Sequence, residues 1–233
     1  MQTHDLNENS RRQFLGSLAT GTAALTMAGL FAPLQKTTAG ETILSEHAMD
    51  AEQWFKKVKG KHRIVFDITR PHEILPFAWP RVFLLTNEAT GTPSSDCGVV
   101  MVLRHDAIPY AMKDELWTKY KFGEVFKADD PKTKAPSTRN PFASPAKGDF
   151  VVPGFGEVAI GLNQLQESGV MVCVCGAAMS VYSNALAAGM NMKAEDIRKE
   201  WVAGLLPGVQ EVPSGVWAVG RAQEHGCAYC FAG

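Results

Sequence analysis

The chain has 233 residues, of which 45% are hydrophobic and 20% charged, enough to bury a core and outside the disordered range. At this length one domain with insertions is expected. The net charge is −1, from 23 Lys+Arg against 24 Asp+Glu, so no basic field is available to hold a phosphate backbone, and general nucleic-acid binding is excluded as a class.

Residues 1–40 read as a targeting segment. Ser10-Arg11-Arg12-Gln13-Phe14-Leu15-Gly16 is a twin-arginine pattern, followed by a weakly apolar run from Phe14 to Pro33, then Lys36 and the small residues Thr37-Thr38-Ala39-Gly40. An n-region, an h-region and a cleavage zone in this order mark export by the route that carries folded cargo. The expected location of the mature protein is the periplasm, with no membrane association after cleavage.

Residues 41–62 form a polar, partly helical lead-in that contains Trp54 and Phe55. Arg63–Ile68 is short, apolar and β-branched, a first strand that Pro71 ends. A helix is predicted from about Glu73 to Glu88, with Pro76 and Pro80 restricting its start. Thr90–Asp96 is a turn-rich loop. Gly98–Leu103 is unbroken in apolar character, as in a strand buried on both faces. From about 106 to 156 the chain changes character. A helix is expected near Lys113–Gly123, and then Pro131, Pro136, Pro141, Pro145 and Pro153 punctuate a long polar stretch of the kind that covers a site or an interface. A helix follows over Glu157–Ser168, ended by Gly169. Val170–Cys175 is the third strand and Gly176–Ala188 a helix. Another helix runs from about Lys193 to Leu206, with Ile197, Trp201 and Leu205 at four-residue spacing. Val209–Val212 is the fourth strand. Ser214 caps a helix through His225, and Cys227–Phe231 is the fifth strand. Strands alternating with helices predict a three-layer α/β domain over 63–233 with a mostly parallel five-stranded sheet.

Ligands of open parallel sheets bind beyond the carboxyl ends of the strands. To that edge the sequence delivers Thr69-Arg70-Pro71-His72, Arg104-His105-Asp106, Cys175-Gly176 and Pro213-Ser214-Gly215. Cys175 stands out because it ends a strand and opens a helix. Free backbone N–H groups and the positive end of the helix dipole stabilise a thiolate there. His105 converges on the same edge as an imidazole partner, with His72, Arg70, Ser214 and Cys230 as supporting residues. Arg70 and Arg104 either bind an anion or pair with Asp67 or Asp106. Cys173 reads as core packing on the same face of its strand, and Cys97 as structural. The five cysteines are an odd number, so they cannot all pair within one chain. Cys227-Ala228-Tyr229-Cys230 is a C-x-x-C. In a terminal strand its two sulfurs point to opposite faces, although a bend in the tail would permit a disulfide, and Cys230 would approach the Cys175 edge with strand four between.

Three stretches resemble the DsrE/DsrF-like sulfur-relay family. They are Gly98-Val99-Val100-Met101-Val102-Leu103-Arg104-His105, Gly169 through Ala178 around Cys175, and Leu206-Pro207-Gly208-Val209-Gln210-Glu211-Val212-Pro213-Ser214-Gly215-Val216. Phe66-Asp67-Ile68 adds a weaker match. The resemblance implies a flavodoxin-like sheet, a homo-oligomer such as a trimer or hexamer, and a persulfide-carrying Cys at the position of Cys175, loaded and unloaded by a sulfur donor or acceptor protein. Export, the Pro-rich insertion at about 106–156 and the terminal C-x-x-C depart from the family pattern. No cofactor is read from the sequence. Two other functions stay open: a non-catalytic oligomeric module whose insertion binds a partner, and a metal- or haem-binding protein using Cys175, Cys230 or His105.

Overall fold

The structure is a computed structural model and describes residues 50–233. The targeting segment lies outside the described residues. Residues 50–55 are helical. The chain then runs β1 (His62–Ile68), α1 (Leu75–Ala89), β2 (Cys97–Leu103), a 3-10 helix (His105–Ala111), α2 (Asp114–Tyr120), α3 (Phe122–Val125), β3 (Val151–Val152), β4 (Gly156–Glu157), α4 (Leu162–Glu167), β5 (Met171–Cys175), α5 (Gly176–Met190), α6 (Ala194–Ala203), β6 (Val209–Val212), α7 (Gly215–Glu224) and β7 (Ala228–Phe231). No helix among the described residues is long and apolar enough to cross a membrane.

Five strands form one all-parallel sheet in the order β6-β5-β2-β1-β7, and β3 and β4 form a separate two-residue hairpin. The expected flavodoxin-like three-layer α/β architecture is therefore present. From β1 the chain steps to β2, β5 and β6, each beside the last. Right-handed crossovers in one direction put their helices on one face. The return from β6 to β7 crosses the sheet the other way and places α7 on the opposite face. Side-chain alternation then divides the core in two. Phe66, Met101, Leu103, Val172 and Val174 pack with Phe77 and Leu84 of α1, Met179 of α5 and Trp201 of α6. Val65, Val100, Val102 and Cys173 pack with Trp54, Phe55 and Val58 of the lead-in and with Ala218 and Ala222 of α7. β2 is central, and all seven of its residues are buried, as its unbroken apolar run required.

Two local expectations need correction. The helix expected over Glu157–Ser168 is α4 alone; Glu157 pairs with Val151 in the hairpin instead. The helix expected near Lys113–Gly123 breaks at Lys121, whose left-handed backbone (φ 50°) separates α2 from α3.

The insertion is the larger difference. Its prolines suggested a loose polar cover, but its aromatic residues complete the first core. Tyr110, Trp117, Phe122, Phe126, Phe142 and Phe150 are all buried. Phe142 stacks on Phe77 of α1 at 4.0 Å between ring centroids and on Phe150 at 5.1 Å. Asn140 is the buried polar anchor. Its Nδ2 donates to the carbonyls of Tyr110 (2.8 Å) and Met112 (2.9 Å), and its Oδ1 accepts from the Phe142 N–H. Prolines supply turns between these anchors, and the burial supplies the stability. Replacing Phe142 by Ala should therefore destabilise the protein by about 3–5 kcal/mol. Urea unfolding checks this, since a merely covering segment would change the midpoint little.

Candidate functional site at the carboxyl edge of the sheet

Cys175 occupies the expected place. It is the last residue of β5 and the N-cap of α5, and its Sγ accepts a hydrogen bond from the Ala178 N–H at 3.3 Å. The cap follows from the sequence, because Gly176 directly after it lets the chain turn where a side chain has no room. A Cβ on Gly176 would sit 2.7 Å from Glu211 Oε1 and 2.9 Å from the Val212 carbonyl. Glu211 is in turn ion-paired to Arg198 of α6. The thiol is only 6% exposed and packs with the first core, whereas Cys173 belongs to the second. Two surface cavities, of about 240 and 230 Å³, lie along the insertion, and Cys175 lines neither.

His105 makes its contacts with Asp106 and Tyr182. Immediately after β2 it adopts a left-handed backbone (φ 52°), uncommon for a residue with a Cβ, which turns the chain into the 3-10 helix. Its Nδ1 lies 2.9 Å from Asp106 Oδ1 and 3.3 Å from the hydroxyl of Tyr182. That hydroxyl donates to the same Asp106 oxygen. Burial, and then the hydrogen bond to Asp106, push the Tyr182 phenol well above its ordinary value. Tyr182 is seven residues along α5 from its cap, roughly 10 Å at 1.5 Å per residue. The imidazole is thus gathered into an Asp106–His105–Tyr182 cluster one end of which is open to solvent.

The residue that neighbours Cys175 is Arg104. Leu103 pairs with Val174, so Arg104 and Cys175 are the next residues on adjacent parallel strands. Arg104 forms a two-pronged pair with Asp67 of β1, Nε to Oδ1 at 2.6 Å and Nη2 to Oδ2 at 2.9 Å. Of the two roles open to it in the sequence, pairing with Asp67 is the one adopted. The Tyr229 hydroxyl on β7 donates to Asp67 Oδ2 at 2.9 Å. The hydrogen bond to Asp67 raises the Arg104 pKa, against the opposing cost of burial, and the charges of Asp67, Tyr229 and Cys175 add to the rise.

Ser214 caps α7 as expected, its Oγ accepting from the Trp217 N–H at 3.3 Å. His72 and Arg70 are exposed. His72 lines the cavity of about 230 Å³, shared with Tyr110, Lys127 and Asp129, and not the Cys175 edge. Cys230 requires a correction. β7 pairs with β1 on the far side of the sheet, so β2 and β1, not the fourth strand, separate Cys230 from Cys175. The chain returns past β1 because β6 already closes the other edge. Cys227 packs in the second core and Cys230 against the first, so the C-x-x-C sulfurs face opposite ways, and all five thiols are free. Burial pushes the Cys227 thiol up to about 11. Among the described residues no group of three or more His, Cys, Asp or Glu side chains is placed to share a metal ion.

Sequence reasoning missed Tyr229 and Tyr182 and left the Asp67–Arg104 pair as one option of two. The available signal was Asp67 itself, a carboxylate inside an apolar parallel strand that needs a cation from a neighbour. Comparison of the sequence with protein-family models gives no match, and comparison with curated proteins gives none.

The fit of Arg104 is tight where its stem crosses Gly215, the first residue of α7; a Cβ there would lie 2.5 Å from Arg104 Cβ and 2.7 Å from its Cδ. Gly220, in the same helix, faces open space, with nothing within 4 Å of the position a Cβ would take. Gly220→Ala should stabilise the protein by about 0.5–1 kcal/mol through helix propensity. Gly215→Ala should have the opposite sign. Paired thermal melts of the two variants measure both.

Proposed function

We propose that the protein is an exported, periplasmic sulfur-handling protein of the DsrE/DsrF-like kind, acting as a homo-oligomer in which Cys175 accepts and presents sulfane sulfur. The observation that carries this reading is the position of Cys175 Sγ, at the hand-over from a parallel strand to a helix with a backbone N–H donated to it. A helix start is where backbone N–H groups are free to donate to a bound or attached anion. In the transfer, the Cys175 thiolate attacks the outer sulfur of a donor persulfide, R–S–SH. The donor S–S bond breaks, a new S–S bond forms on Cys175, and R–S⁻ leaves, so no net oxidation occurs. Release to an acceptor thiolate reverses the step. The protein is then a carrier or a transferase according to whether it speeds the exchange between its partners.

The low exposure of Cys175 favours one second reading, a non-catalytic oligomeric module in which that thiol is structural. Intact mass spectrometry of the exported protein separates them. Sulfur loading adds about 32 Da per sulfur atom. Wild type incubated with a small persulfide donor should gain this adduct, and Cys175→Ser should not. An adduct that persists in Cys175→Ser, or wild type that never acquires one, overturns the carrier reading, and the latter result supports the structural module.

A further inference from the structure

The cavity of about 230 Å³ lies beyond the carboxyl ends of β1 and β2, lined by the loop that leaves β1 and by Tyr110 of the 3-10 helix after β2. The connections that leave β1 and enter β7 lie on opposite faces of the sheet, so the topological switch point falls between these two neighbouring strands, where open parallel sheets hold their ligands. The Tyr110 ring is enclosed by Phe77, Phe142 and Trp117, at 5.2, 5.5 and 5.6 Å between centroids, and its backbone carbonyl is held by Asn140. The residue is 2% exposed, yet its hydroxyl takes no hydrogen-bond partner among the described residues. Burial first, and then the Asp129 charge, push the phenol pKa up, so it stays protonated and can both donate and accept. A polar end that nothing in the chain satisfies, on a ring packed on three sides, calls for a group that enters the cavity.

The charged groups around it sort into satisfied and free ones. Glu73 pairs with Lys134 at 3.6 Å, and Asp130 accepts from the Lys132 and Thr133 N–H groups and pairs with Arg139. Lys127 and Asp129 line the same cavity, and neither side chain has an ion pair or a hydrogen bond among the described residues. The cavity thus presents one uncompensated cation, one uncompensated carboxylate and one phenol. Its wall is tied in place: the Asp130 N–H donates to the Ala135 carbonyl at 2.8 Å and the Ser137 N–H to the Ala128 carbonyl at 3.0 Å. Glu73, Lys127 and Lys134 are three of the six non-glycine residues with left-handed backbones among the described residues, at φ 51°, 53° and 58°. Sparsely populated backbone of this kind gathers where a ligand is clamped.

We infer that this cavity binds a small zwitterion of the free α-amino acid class, its ammonium group on Asp129 and the Tyr110 hydroxyl oxygen and its carboxylate on Lys127. A plain anion would meet the Asp129 carboxylate, and a plain cation would meet Lys127; a ligand that carries both signs satisfies both. The volume is also that of a small metabolite, since pockets for drug-sized ligands run from about 300 to 1,000 Å³. Cys175 does not line the cavity, so the inference is independent of the sulfur-carrier reading.

Saturation-transfer NMR of the full-length protein with the standard amino acids selects the binder, and titration calorimetry with that amino acid gives its Kd. If none of them receives saturation, the inference is overturned. The methyl ester of the binder lacks the carboxylate and its N-acetyl derivative lacks the ammonium group, so each should bind about tenfold more weakly. Either derivative binding as tightly as the parent is equally fatal. Tyr110→Phe removes one oxygen and keeps the ring packing. It should raise the Kd about tenfold without lowering Tm, because the hydroxyl supports no contact inside the protein. Asp129→Asn and Lys127→Gln change exposed side chains and leave the core untouched. Each should weaken binding about tenfold, and these two decide the matter if Tyr110→Phe does not fold. An amino acid that binds all the folded variants as tightly as wild type sits elsewhere, and the site is lost.

Discussion

A carboxylate inside a parallel strand is the constraint around which the carboxyl edge of this sheet is organised. Unpaired, Asp67 would cost several kcal/mol in such a position. Its two oxygens are satisfied by residues from the strands on either side, Arg104 after β2 and Tyr229 on β7. One side chain thereby registers three strands against each other and draws β7 to β1. The residues after β7 follow the same path: Ala232 N–H donates to the Asp67 carbonyl, and Thr69 donates to the carbonyl of Gly233. The return crossover that makes this possible sends α7 to the face opposite the other crossover helices, where with the lead-in it covers the second core. Three-layer architecture and local charge compensation are here the same fact.

Burial at the edge is uneven, and this matters for chemistry. The Asp106–His105–Tyr182 cluster is open, with the His105 side chain 64% exposed, while Cys175 is nearly closed. A group already in contact with the sulfur and already fixed can support it electrostatically without movement. The Ala178 N–H at the start of α5, donated to the Cys175 Sγ, satisfies that condition. Preorganised charge of this kind needs no reorganisation when the sulfur ionises.

Much of the fold was legible in the residues, for identifiable reasons. Ser214 and Gly226 bracket α7, the apolar run of β2 fits a central strand, and Cys175-Gly176 marks the turn into α5; each is a local signal with a local cause. What was not legible depends on contacts distant in sequence. The position of β7 is set by Asp67, 162 residues before Tyr229, and no periodicity records it. The insertion was misread because prolines are loud and spaced aromatics are quiet. Phe142 and Phe150 sit among polar residues and turn formers, so neither helical nor strand alternation reports that both are buried. The left-handed backbone of His105, which turns the chain into the 3-10 helix beside Tyr182, is likewise not recorded in any periodicity.

The insertion also changes what the edge can do. In a bare sheet of this topology the groove beyond β1 and β2 would be open. Here Tyr110, just after β2, is roofed by Phe142 and backed by Phe77, and its phenol is driven well above its ordinary value by burial and by Asp129. The segment that closes this region rests on Asn140, whose amide bonds two carbonyls of the chain leaving β2. The insertion thus packs over the β1 and β2 side of this edge, while Val181 of α5 and Val216 of α7 are exposed.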